Sequence, residues 1–146
     1  MGAQSRNAFT LVEVLIVVVI MAVLAATIIP QFTDSTRDAK VNTATFNLQA
    51  LRSQIEMFKA QHDSARPKAL SDLTVKTDKS GAITTSGEYG PYISEVPAET
   101  ITNSTAVAIV TNNGPIAIGA GVTTGGWIYN STTGEVRVNH GDHASL

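Results

Sequence analysis

The sequence predicts an α+β protein. A long N-terminal helix, its first half spanning a membrane, packs by its second half on a small C-terminal antiparallel sheet. Three observations carry this reading. Residues 9–32 are strongly apolar and hold a single charged side chain, Glu13. Val41, Ala44, Leu48, Leu51, Ile55 and Phe58 then recur every three or four residues, which lays one apolar stripe along a helix. Finally, "GGWIYNSTTGEVRVN" (125–139) sets two strand-like runs around a turn.

The apolar run comes first. Its 24 residues, at about 1.5 Å each, are enough for a hydrocarbon core of about 30 Å. A cleavable secretory signal has a shorter apolar region, about 7–15 residues, closed by small residues. "AVLAAT" (22–27) resembles such an ending, but the run continues through Ile28 and Ile29, and Arg6 alone supplies a positive side chain ahead of it. A plain membrane anchor leaves Glu13 unexplained. A carboxylate at the centre of a membrane helix costs about 2.5–3.5 kcal/mol, and less near the interface. Each surrounding Leu, Val or Ile returns about 0.3–0.6 kcal/mol, so insertion stays favourable. An intramembrane carboxylate asks for a cationic partner, and no Lys or Arg lies in the run. The partner has to come from elsewhere.

"FTLVEVLIVVVIMAVLAATIIPQF" (9–32) resembles the N-terminal signature of type IV pilins and of the pseudopilins of type II secretion. That resemblance implies a leader of residues 1–8, cleaved between Ala8 and Phe9 by a prepilin peptidase that also N-methylates Phe9. The family usually has Gly where this chain has Ala8. Glu13 stands four residues after Phe9, where the family's Glu meets the methylated amine of a neighbouring subunit and sets its register in a filament. Pro30 matches the family's helix-breaking proline, which lacks an amide donor and clashes with the preceding turn. The resemblance further implies a homo-oligomeric filament, an inner-membrane assembly platform and minor pseudopilins as partners. It places a single-pass chain in the bacterial inner membrane with its C-terminal domain in the periplasm.

The rest of the chain, residues 33–146, reads as a soluble domain. The helix is expected to run to about residue 63, where "DSARP" (63–67) ends it. "LSDL" (70–73) is a short helical turn, and the polar, glycine-containing stretch 75–91 is an exposed loop. "AVAIV" (106–110) is a short strand. Trp127, Ile128 and Tyr129 form another, and Val136 and Val138 alternate with polar residues in a returning, half-buried one. Pro67 with Leu70 and Leu73, the segment 90–97 and the Thr-Gly-Glu turn also resemble pseudopilins.

Several chemistries are excluded or disfavoured. The chain has no cysteine, which removes disulfides, thiol catalysis and cysteine-ligated metals, and among pilin-like proteins leans towards a pseudopilin. A net charge of -2 and the absence of a basic cluster disfavour nucleic acid as a partner. The glycine-rich 114–126 lacks the Lys and Ser/Thr of a phosphate loop. His140, Asp142 and His143 fit no defined metal spacing, and Glu135 with Asp142 would be too few ligands for calcium. His62, beside Asp63, is explained by the helix end and local hydrogen bonding. No nucleophile, base and orienting group converge. The sequence thus implies no enzyme, no cofactor and no metal, and the resemblance implies a structural subunit of a type II secretion pseudopilus. A type IV pilus pilin, working in adhesion or motility, or a membrane-anchored periplasmic protein are the alternatives.

Overall fold

A computed structural model describes residues 9–117 and 125–143, with only the backbone of Asp142. The chain divides into two units, Met1–Asp38 and Ala39–Leu146. Helix α1 (Leu11–Gln61) begins in the first and ends in the second. In order there follow a 3₁₀ turn (Leu70–Thr74), strands β1 (Val107–Val110), β2 (Trp127–Asn130) and β3 (Val136–Val138), and a 3₁₀ turn at Gly141–His143.

In the first unit, helix α1 has no interior to bury. Val14, Leu15, Ile16, Val17, Val18 and Ile20 are each about half exposed, as on any single helix without neighbours. It is the one helix among the described residues long and apolar enough to cross a membrane, with a mean hydropathy of 3.0 over its best window. Such a surface is stable only when lipid or other apolar helices cover it.

The second unit has a true core. Leu48, Leu51, Ile55 and Phe58 of α1, every one of them about 1% exposed, meet Trp127, Tyr129, Val136 and Val138 of the sheet. Burying each such side chain contributes about 1.5–3 kcal/mol. Leu70 and Leu73, presented by the first 3₁₀ turn, close the same cluster. Ala44 adds a fully buried position, whereas Val41, the first residue of the expected stripe, stays only partly covered. Helix α1 ends by donation of the Ser64 amide to the Lys59 carbonyl, with Asp63 and Ser64 both at positive φ.

The sheet order is β1-β2-β3. β2 and β3 form the expected antiparallel hairpin, Trp127 opposite Val138 and Tyr129 opposite Val136. β1 differs from expectation, because it pairs with β2 in parallel, from Val107 beside Trp127 to Val110 beside Asn130. The physical reason is the connection. Residues 111–126 separate the two strands, more than the dozen or so that a parallel crossover requires and far more than a hairpin uses. β2 is buried at every position and is the central strand. Its two large side chains are anchored by single bonds at their polar ends. Trp127 Nε1 donates to the Pro97 carbonyl at 2.7 Å, and the Tyr129 hydroxyl donates to the Pro67 carbonyl at 2.7 Å. At the strand's entry Gly126 has φ +83°, and a Cβ there would lie 2.2 Å from the Ala106 carbonyl oxygen. That oxygen accepts the Trp127 amide, so only glycine permits the approach.

Residues 75–91 are less loop-like than expected. Thr77 is completely buried and exchanges two backbone hydrogen bonds with Tyr89. Asp78 folds the tip, its Oδ1 accepting from the Ser80 hydroxyl and from the Ser80 and Ala82 amides. The Ser80 hydroxyl, then the Ala82 amide, hold its carboxyl below the usual value.

Candidate functional site: the helix N-terminus

The residues that the sequence singles out gather at the start of α1. Phe9 is 81% exposed and lies two residues before the helix. Thr10 is the residue before the first helical position, and Glu13 is the third residue of the helix. "TLVE" (10–13) is therefore a Ser/Thr-x-x-Glu capping box. The Glu13 amide donates to Thr10 Oγ1 at 3.3 Å. The Thr10 hydroxyl and, more loosely, the Thr10 amide donate to Glu13 Oε2, at 3.2 and 3.4 Å. Sequence reasoning overlooked Thr10, although the box was legible in the spacing. A carboxylate in the first turn also suits the positive end of the helix dipole.

This local role accounts for an acidic residue at position 13, yet leaves its charge uncompensated. Among the described residues the ion pairs are Lys59–Glu56, Lys79–Asp63 and Arg137–Glu135, all in the second unit. Among the described residues Glu13 therefore has hydrogen-bond donors and no cation. Phe9, expected to carry the new amine, stands four residues before it and is exposed. Ala8 lies outside the described residues.

Pro30 does not interrupt the helix here. α1 passes through it, whereas a break was expected. Proline cannot donate to the Ala26 carbonyl, so the ladder is short of one bond at this level. Helical residues on either side hold the geometry. The Thr27 and Thr33 hydroxyls donate back to the Val23 and Ile29 carbonyls, at 3.1 and 3.2 Å. The position is weakened without being broken.

The prokaryotic N-terminal methylation motif matches residues 4–29. The chain is thus similar to type IV pilin-like proteins, above all in its prepilin-type N-terminus. Among its relatives, this pilin-like chain is 36% identical over 59 residues to the type II secretion system core protein G of Pseudomonas aeruginosa, a match covering 40% of this chain and 42% of that one. The protein of the same name from Klebsiella michiganensis is 34% identical over a stretch of the same length and coverage. That of Aeromonas hydrophila is 27% identical over 101 residues, 68% of this chain and 70% of the relative. The matches to the first two thus span about two fifths of those relatives' length. No solved structure matches the chain.

The other polar clusters have structural occupations. His62 is 1% exposed and stacks on Phe58 with ring centroids 3.9 Å apart. Its Nδ1 lies 2.7 Å from the Phe58 carbonyl, which can only accept, so Nδ1 carries the proton. In the neutral ring Nε2 then accepts from the Thr77 hydroxyl at 2.9 Å. The expected local hydrogen bonding is present, and it also ties the 75–91 segment to the end of α1. Glu135 accepts from Arg137 Nε and from the Ile116 amide. Glu99, fully buried and not anticipated from sequence, accepts from the Ile101 and Thr102 amides and the Thr102 hydroxyl. The His140 and His143 rings approach to 5.3 Å between centroids. Among the described residues no three His, Asp or Glu side chains group as a metal site would require.

Proposed function

We propose that the chain is a structural subunit of a type II secretion pseudopilus. In this reading a prepilin peptidase cuts before Phe9 and methylates the new amine. The apolar half of α1 then leaves the membrane for the centre of a helical filament, with inner-membrane assembly proteins and minor pseudopilins as partners. The second unit faces the periplasm and forms the outer layer. The observation that carries the reading is Glu13: a carboxylate with donors but, among the described residues, no cation, at the start of an exposed and otherwise uncharged apolar stretch, residues 9–32. A neighbouring copy's Phe9 ammonium is the cation it lacks. Pairing is favourable there because a lone charge transferred to a low-dielectric surround is heavily penalised, and one with a partner far less so. The names of the relatives, each a type II secretion system core protein G, favour export over adhesion or motility. Catalysis has no place in the reading.

The test is expression of the chain together with a type II secretion assembly apparatus lacking its own core subunit. Restored export with short periplasmic fibres is expected. Long surface fibres without export would move the chain to a type IV pilus, and a monomeric chain with neither would remove the filament reading altogether.

A further inference from the structure

We infer that Asn113–Gly114 is a modification site at which the chain deamidates spontaneously. The sequence holds one Asn-Gly pair, and the structure leaves it open to reaction. Asn113 is exposed, and among the described residues neither its side-chain amide nor the Gly114 N–H is held by a hydrogen bond. A Cβ on Gly114 would meet nothing within 4 Å, so the backbone has room to close a ring.

The neighbouring residues are held still while Asn113 is not. Asn130 Nδ2 donates to the Asn112 carbonyl at 3.0 Å, to Asn112 Oδ1 at 2.7 Å and to the Gly114 carbonyl at 3.1 Å. The loop is thus clamped on both sides of the reactive residue. Other asparagines of this unit lack the same freedom. Asn130 is fully buried, and the amide after it donates to Val110. The amide after Asn103 donates to the Glu99 carbonyl at 3.1 Å. Asn42 and Asn47 lie inside α1, where the following amides belong to the helix ladder.

The chemistry balances with water as the sole co-reactant. The Gly114 nitrogen attacks Asn113 Cγ and a C–N bond forms. The side-chain nitrogen leaves as ammonia, taking the proton that the Gly114 nitrogen loses. Water then opens the five-membered imide. Attack at the side-chain carbonyl yields aspartate, and attack at the main-chain carbonyl yields isoaspartate, whose backbone runs through Cβ and Cγ. Either product adds one negative charge. Isoaspartate also inserts a methylene between the two carbonyls that Asn130 bridges, which loosens the clamp. Asn130 Oδ1 holds the following turn as well, accepting the Thr132 amide at 3.0 Å, so the disturbance reaches the β2–β3 hairpin.

The experiment uses the full chain in detergent, aged at mildly alkaline pH and physiological temperature, beside Gly114→Ala. That substitution needs no positive φ and meets no atom, so the variant folds. Peptide mass mapping and isoaspartate-specific enzymatic methyl labelling are the readouts. The expected result is a gain of about one dalton on the Asn113 peptide, divided between two isomers. It should be at least several-fold slower in Gly114→Ala, with Asn103 and Asn130 unchanged. An Asn113 peptide that stays intact while another asparagine converts, or a Gly114→Ala chain that converts as fast, overturns the assignment.

Discussion

Substituting Glu13 by glutamine separates the two roles that its position allows. Glutamine keeps the capping box, because its side-chain carbonyl can accept from Thr10 as Glu13 Oε2 does. A cap of this kind is worth about 0.5–2 kcal/mol, and glutamine retains most of it. It removes the charge, and with it any ion pair to a neighbour's Phe9 amine. Two unit charges about 4 Å apart, at an effective dielectric constant of about 20, attract by about 4 kcal/mol. At about 1.4 kcal/mol per tenfold, that is roughly three orders of magnitude in the equilibrium for adding a subunit. Membrane insertion should be no worse, since a carboxylate no longer enters the apolar phase. The assay counts filaments and processed subunits from cells making equal amounts of wild-type, Glu13→Gln and Glu13→Ala chains. Processing should proceed in all three, and filaments should be lost from both variants. Wild-type filament yield from Glu13→Gln would show that capping suffices and refute the pairing.

Four further outcomes are expected from the second unit, whose melting the single, fully buried Trp127 reports by fluorescence. Tyr129→Phe keeps the packed ring but strips the Pro67 carbonyl of its donor. The loss should be about 1–3 kcal/mol, and an unchanged melting curve would contradict it. Gly126→Ala places a side chain at φ +83° and against the Ala106 carbonyl oxygen, and should destabilise by more than the 1–2 kcal/mol of the left-handed conformation alone. Phe46→Ser, at a position 71% exposed, should move stability by no more than about 0.5 kcal/mol, and a larger loss would show that Phe46 is covered within the subunit. Finally, burial raises the Tyr129 phenol above its ordinary value. The folded state then holds that proton more tightly than the unfolded chain. The resulting stability is present below the ordinary phenol value and is lost as pH rises towards the folded one. Alkaline unfolding monitored by tyrosinate absorbance should therefore be steeper for wild type than for Tyr129→Phe.

Local signals made much of this fold legible. The apolar stripe was readable because core contacts every three or four residues are a property of one helix, and Ala44, Leu48, Leu51, Ile55 and Phe58 are indeed its buried residues. The β2–β3 hairpin was readable for the same reason, since its turn lies between adjacent runs. The parallel pairing of β1 was not, because it depends on the path of residues 111–126, which no periodicity encodes. Nor was the burial of Thr77, whose hydroxyl meets His62 and whose backbone pairs with Tyr89, both distant in sequence. At the helix N-terminus, Glu13 stood out by its cost in an apolar run. Thr10 did not, although the Thr-x-x-Glu spacing was there to read, because a helix read as starting at Phe9 puts Thr10 inside it and not at its cap.

The measurement that tests the central claim most directly is the intact mass and N-terminal peptide of the chain recovered from membranes. A chain beginning at N-methylated Phe9 is the predicted result, and it would supply the cation that Glu13 lacks. A chain beginning at Met1, or cut near Ala25, would contradict it. Glu13 would then be a helix cap in an ordinary anchor or signal, with no neighbour to meet.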